Sequence, residues 1–485
     1  MGFVMPMLKP WVPLWLGLPL YFATVFSFQF SSGIYLGAFE SYRGATGFMI
    51  EDIQYLLYAN LAGMAVMFPM LFKMKFRFTN QQLLCGAAAL VGICNAITMS
   101  TDNMAILIPV CFLEGMGKLQ GTFEVMSNIQ LWHNPTRDMG KFFPLLHIFL
   151  LTAIIGAQYM AAMWAYYMSW KMMHVWVIGT MCVVILIQQI FCRPFCPMPE
   201  RQSLRGTDWP TALMVCIAML LLTAILVYGD HLMWFRSPKI NLMFGAMLML
   251  LGVIAYRVKT LKHPYLEFPV LRYHYVIPVF IVVMIAELLM GAEYSLEEIL
   301  YCEVVKLSDL NKTYHELFAL IGCYAGIGFC FLWFRYGKIR TQYLMAVDFA
   351  CIFAYAFLMY TRVDVITPIE HYHLAMACRG AALAITGIGL MWKLEHCIPS
   401  LPHFFMGLMM FNIIHMYLGG AESYGVYTTA FKHLMTEDMF RYNTMNATAM
   451  MTVAIKQIYG WICWGALVMT IAALVQAWWV TLHSK

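Results

Sequence analysis

Charge is what this 485-residue chain has least of: Asp, Glu, Lys and Arg together make up 11% of it, where a soluble globular chain carries roughly a quarter. No water-facing surface can be built from that, and 62% hydrophobic residues leave no room for a sizeable soluble domain. The formal net charge of +5 is modest, and its basic residues are scattered between apolar runs, so no basic stripe exists to hold a nucleic acid. Chemical motifs are missing too. There is no phosphate-cradling glycine loop carrying Lys and Ser or Thr, which argues against ATP-driven work by this chain. Neither Gly-x-Ser-x-Gly nor His-Glu-x-x-His occurs, so no catalytic residues, no metal and no cofactor are implied. The 14 cysteines lie mostly inside apolar runs, where a free Cys behaves as a small hydrophobe. Cys192 and Cys196 flank Pro194 without the second pair or nearby histidines that a zinc quartet needs. The 42 methionines are spread evenly, which suits flexible core filler better than a copper cluster.

What is present is a succession of apolar runs, each near the ~20 residues that a membrane-crossing helix needs. Reading them against polar breaks predicts about fourteen spans between residues 11 and 480, the first over residues 11–37 and the last over 458–480. The first run is too long for a signal-peptide core and lacks a small-residue cleavage site, so it reads as a retained helix. Both ends then lie on one side of the membrane. Lys and Arg outside the spans number about 18 on the side of the N-terminus and about nine opposite, which predicts cytoplasmic termini. On this reading the acidic stretch 293–316 and the stretch 422–441 are outside loops.

A charge at the bilayer centre costs about 2.5–3.5 kcal/mol on insertion scales, so ionisable groups inside spans are the first functional candidates. In the fourth span Glu114 and Lys118 are four apart, on one helix face in the favourable acid-before-base order. A closed pair of that kind would equally serve to neutralise itself and fix helix packing. Glu124 lies nearer the cytoplasmic end of the same helix. Glu287 falls about twelve residues into the ninth span and Glu293 two turns further on, neither with a basic neighbour on its own helix. Arg379 in the twelfth span is the expected partner for that unpaired acid. His371 and His373 face opposite ways at a helix end and read as interfacial. Asp348, His147, Asn412 and His415 complete the buried polar set, and a lone polar group in a helical bundle more often bonds a neighbouring helix than a substrate. Gln29 opens a polar patch with Ser31 and Ser32 in the first span.

Several short stretches resemble one family. Thr207-Asp208-Trp209 opens a span and Tyr228-Gly229-Asp230 closes it; Trp234-Phe235-Arg236-Ser237 precedes the next, and His263-Pro264-Tyr265-Leu266 leads to Leu271-Arg272. The fifth span carries Gly156-Ala157-Gln158 and is followed by Ser169-Trp170-Lys171. Glu114-Gly115 and Cys378-Arg379-Gly380 occupy corresponding places in two halves. Together these resemble the major facilitator superfamily, specifically the fourteen-helix drug:proton antiporters of the EmrB/QacA type. The departures are definite. Residues 70–78 keep only Lys73, Lys75 and Arg77 of the expected Gly-x-x-x-Asp-Arg-x-Gly-Arg loop, Cys111 stands where the fourth span should carry arginine, and Ala157 and Gln158 replace a glycine and a proline.

The resemblance implies an all-α membrane fold of two six-helix bundles, residues 1–192 and 263–485, with an extra helix pair in 193–262 and alternating access to a central site. It implies proton-coupled export of an amphipathic organic solute, or, as the alternative, a facilitator or importer of a metabolite or lipid. Glu114, Lys118, Glu287 and Arg379 become the proton-coupling candidates, and Gln29, Glu124, Gln158, Glu293, Asn412 and His415 the cavity candidates. The expected setting is a bacterial inner membrane, with membrane lipid around the spans. In bacteria with two membranes, this branch often works with a periplasmic adaptor and an outer-membrane channel.

Overall fold

The apolar runs are helices. The computed structural model describes residues 7–133, 138–196, 208–261, 264–336, 341–441 and 446–483; Thr207, His263 and the boundary expected after residue 262 lie outside them. Among the described residues, thirteen helices are long and apolar enough to cross a membrane, from Ile50–Lys75 to Ala447–Val480, and a shorter apolar helix, Trp15–Phe30, precedes them. The protein is therefore an all-α, multi-pass membrane protein. Local chemistry sets several helix starts. Thr79 accepts from the Gln82 amide at 3.2 Å, and the Gln82 side chain accepts from the Thr79 amide at 3.1 Å, a reciprocal box that opens Asn80–Ser100.

The chain divides into two compact units. One comprises Met1–Asp138, Gly156–Tyr273 and Ile398–Ile413; the other comprises Met139–Ile155, His274–Cys397 and Ile414–Lys485. In the first, the helices Trp209–Tyr228 and Pro238–Thr260 pack on each other through Ile225, Ile240 and Met247. Trp209–Tyr228 is tied to Ile50–Lys75, because Tyr228 Oη donates to Asp52 Oδ1 at 2.5 Å and Tyr55 Oη donates to the Leu220 carbonyl at 3.1 Å. The second unit is built round a large apolar core that includes Ile352, Tyr355, Tyr372, Ile458 and Tyr459.

Within each unit one helix crossing depends on glycine. A Cβ on Gly63 would stand 1.9 Å from the Phe112 carbonyl oxygen, and one on Gly115 would stand 2.0 Å from that of Asn60. The second and fourth spans thus meet backbone to backbone. In the other unit a Cβ on Gly322 would stand 1.7 Å from the Ala377 carbonyl oxygen, and one on Gly380 would stand 2.0 Å from that of Ala319. Small residues at membrane-helix crossings permit this approach, and here each fixes the side chain beside it, Glu114 and Arg379.

Three expectations need correction. The first helix ends at Phe30 instead of continuing to residue 37: Ser31 has extended backbone and bonds back to the Phe28 carbonyl through both its amide and its hydroxyl. Residues 293–316 are not an outside loop, since the ninth span runs from Val276 to Val304 and the tenth from Asp309 to Tyr336. Residues 422–441 likewise continue a helix, Gly419–Arg441. In the first two places polar residues mislead: serines break an apolar run, while Glu293, Glu297 and Glu298, bonded inside the protein, stay within the span.

Candidate functional site

In the first unit the fourth span, Met104–Gln130, carries three of the charged candidates. Glu114 is fully buried. Its Oε1 accepts from Asn95 Nδ2 at 2.8 Å, and its Oε2 has no hydrogen-bond partner. Asn95 is itself held: its amide donates to the Val91 carbonyl at 3.0 Å, while Oδ1 receives Tyr35 Oη at 3.3 Å and lies 2.9 Å from His174 Nδ1. Lys118 Nζ donates to the Ser31 carbonyl at 2.6 Å, where the cation complements the negative end of the first helix. Glu114 and Lys118 thus spend their hydrogen bonds on different neighbours, so the self-contained pair suggested by their spacing is not what forms. One turn beyond Lys118, Thr122 accepts from Gln29 Nε2 at 2.7 Å.

The remaining candidates of this unit lie apart from that group. Glu124 meets Lys75 at 3.4 Å, with both side chains buried, and Lys75 also donates to the Ser127 hydroxyl. Gln158 Oε1 accepts from the Gly37 amide at 2.6 Å, and a Cβ on Gly37 would collide with the Gln158 backbone. Asn412 donates to the Leu408 carbonyl of its own helix at 2.7 Å. Cys192 and Cys196 are free thiols.

In the second unit Glu287 is bonded through Oε1 to His415 Nδ1 at 2.5 Å. His415 sits on a π-helical turn, Ile413–Leu418, and such turns, mostly single insertions in an α-helix, are frequent at functional sites. The approach requires Gly419, since a Cβ there would stand 2.4 Å from Glu287 Cβ. Arg379 is not the partner of Glu287: its Nη1 contacts Glu297 Oε2 at 2.5 Å and Glu293 Oε2 at 3.5 Å. Tyr355 donates to the other oxygen of Glu297, and Tyr459 lies 3.1 Å from Tyr355. Nearby, Lys312 pairs with Glu298.

Two further polar groups are placed by the same helices. Asp348 Oδ2 accepts from the Thr386 hydroxyl at 2.8 Å, while its Oδ1 has no partner. His147 Nδ1 lies 2.8 Å from the Phe143 carbonyl. Sequence reasoning missed Glu297, Tyr355 and Tyr459. For Glu297 a signal existed, because it is four residues after Glu293 and so shares its face in a helix; the tyrosines carried none.

No protein-family model matches the chain, and no curated protein matches it. Solved structures do match. The POT family transporter PepTSo aligns over 95% of this chain and 98% of its own, at 12% identity and a TM-score of 0.61. The nucleoside transporter NupG aligns over 94% and 98%, at 15% identity and 0.52. The human organic anion transporter MFSD10 (TETRAN) aligns over 93% and 98%, at 10% identity and 0.53. At these identities the likeness concerns the fold, which is of the major facilitator type.

Proposed function

We propose that this chain is a secondary active transporter of the drug:proton antiporter branch, exporting an amphipathic organic solute in exchange for protons by alternating access. It works in a bacterial inner membrane with both termini cytoplasmic, its six-helix halves being residues 1–192 and 263–485 and its added pair lying in 193–262. Supporting the transport class are the names of its structural neighbours, among them a nucleoside transporter, a POT family peptide transporter and an organic anion transporter. The observation that carries proton coupling is the bond between Glu287 and His415 inside two apolar spans. A carboxylate so placed is held by an imidazole, a side chain that can itself carry a proton. Protonating the acid weakens that bond and changes which conformation is favoured, which is the differential interaction that coupling requires. Glu114, Lys118 and Arg379 act as further coupling groups, with Gln29, Glu124, Gln158, Glu293, Asn412 and His415 along the solute path.

The test uses the full chain in liposomes with an imposed proton gradient and ethidium, a lipophilic organic cation, as first probe in a screen of amphipathic compounds. Gradient-driven movement above that of protein-free liposomes is expected for at least one compound. Glu287→Gln is expected to insert normally and retain gradient-free exchange while losing gradient-driven movement. Full proton-coupled transport by well-folded Glu287→Gln would remove this residue from the mechanism.

A further inference from the structure

We propose that His147 completes a proton-binding site with Glu287 and His415, the proton passing between the two imidazole rings across the face of Gly387. This rests on the coupling role given above to Glu287. A carbonyl can only accept, so the 2.8 Å contact between His147 Nδ1 and the Phe143 carbonyl places a hydrogen on Nδ1. The atom of His147 that gains or loses a proton is then Nε2. That atom faces Gly387: a Cβ built there would stand 2.7 Å from His147 Nε2 and 3.5 Å from His415 Nε2. The absent side chain brings both ring nitrogens to one patch of backbone. On its far side His415 is bonded through Nδ1 to Glu287. Four helical segments thus contribute to one row of titratable atoms, with His147 4% exposed and Glu287 8% exposed.

The burial selects the occupant. At a point so little exposed, a proton is the occupant that needs no volume. The step is balanced within the row. A proton on His415 Nε2 makes an imidazolium whose Nδ1–H faces the Glu287 carboxylate. Transfer breaks the Nε2–H bond of His415 and forms one at Nε2 of His147, leaving His415 neutral and moving one positive charge by one ring. Lys141 precedes His147 and Glu422 follows His415 on their own helices, and two more charged groups stand on the neighbouring ones. Asp348, bonded by Thr386 beside Gly387, lies within electrostatic reach of Glu287. Arg379, two turns before Gly387 on the same helix, is held by Glu297 and Glu293.

The test is a pH titration of the histidine ring signals by solid-state NMR, on full-length protein labelled with 15N-histidine in liposomes and assigned through single His→Gln variants. Coupled groups titrate as a unit. His147→Gln is therefore expected to shift the His415 midpoint by about one pH unit, and Glu287→Gln to shift both rings. Gly387→Ala keeps all three side chains but drives a methyl group between the rings, and is expected to decouple them; it carries the test if His147→Gln does not fold. A His415 titration that is unchanged by both His147→Gln and Gly387→Ala overturns the proposal. Because this readout needs no transported compound, an empty transport screen defeats the transporter reading separately, without deciding whether the row binds a proton.

Discussion

In the first unit the crossing at Gly63 and Gly115 sets an acid against neutral dipoles; in the second, the crossing at Gly322 and Gly380 sets a guanidinium against two carboxylates. The backbone device is the same in both, a glycine pair that brings two helices into contact and fixes the next side chain. What differs is how the charge is answered. Glu114 has one oxygen on Asn95 and the other unpartnered, and the neighbouring cation Lys118 is bonded to the Ser31 carbonyl, so replacing Glu114 breaks no direct bond to a charged group. Arg379 is the counter-charge of Glu297, and without it a carboxylate remains buried among Tyr355 and its neighbours. The first site can change charge cheaply, and the second cannot.

The largest expected effect tests that asymmetry. Arg379→Gln should lower stability by about 3–5 kcal/mol, the cost of an uncompensated buried charge, whereas Glu114→Gln should cost about 1–3 kcal/mol, that of one unsatisfied buried group. Thermal unfolding of the purified protein in detergent measures both. Adding Glu297→Gln to Arg379→Gln should restore part of the loss, because the two residues are in contact and their effects are not additive. Equal losses for the two single variants would dissolve the contrast between the crossings.

A second comparison concerns the partners. Glu287 is bonded to a histidine and Glu114 to an asparagine, and of those two side-chain types only histidine can take up a proton. Under the proposed function, Glu287→Gln should therefore flatten the pH dependence of transport more than Glu114→Gln does. Proteoliposome rates at graded symmetric pH distinguish the two. The reverse result would move the titrating site to the first unit.

Much of the fold was legible because apolar run length is what a membrane reads. The ends were not. Hydropathy closes the ninth span near Ser295, yet the helix continues to Val304 because Glu297 and Glu298 are bonded by Arg379 and Lys312 inside the protein. That error also concealed the partner of Arg379: with Glu297 assigned to a loop, Glu287 was the remaining unpaired acid. Glu287 and His415 were each recognisable as buried polar residues. Their bond joins positions 128 apart, and no periodicity within one helix reports a pairing between helices. The glycine crossings were visible only as the motifs Glu114-Gly115 and Arg379-Gly380, without the contacts that explain them.

The contact between Glu287 and the π-turn gives a smaller test. At Gly419 a Cβ would stand 2.4 Å from Glu287 Cβ, so Gly419→Ala must displace one helix from the other, at about 1–3 kcal/mol. Gly179, inside the helix Met172–Phe191, has nothing within 4 Å of a built Cβ. Gly179→Ala should therefore stabilise by about 0.5–1 kcal/mol through helix propensity alone. Unfolding temperatures that move in opposite directions would separate close approach from mere helix position, and a neutral Gly419→Ala would refute the tight crossing.

The smallest effect belongs to a pair at the ends of two spans, which shows what the same chemistry is worth at a helix end. Asp208 caps the helix Trp209–Tyr228: its Oδ1 accepts from the Thr211 amide at 3.3 Å and from Arg257 Nη2 at 2.6 Å. Burial pushes its carboxyl up, but the bonds from Thr211 and Arg257 outweigh that and hold it below the usual aspartate range. A carboxyl depressed in the folded state stabilises at pH values above its unfolded pKa, near ~3.9, and loses that contribution as pH falls through the folded value. Asp208→Asn keeps a capping oxygen and removes the charge, so it should cost about 0.5–1 kcal/mol at neutral pH. The gap between mutant and parent should close on acidification, because protonated Asp208 also lacks the charge. Unfolding temperatures of both proteins at pH 7 and through the acid range measure it. A gap that persists at acid pH would mean that Asp208 contributes through its shape and its cap, and that its ion pair with Arg257 adds nothing even where water has partial access.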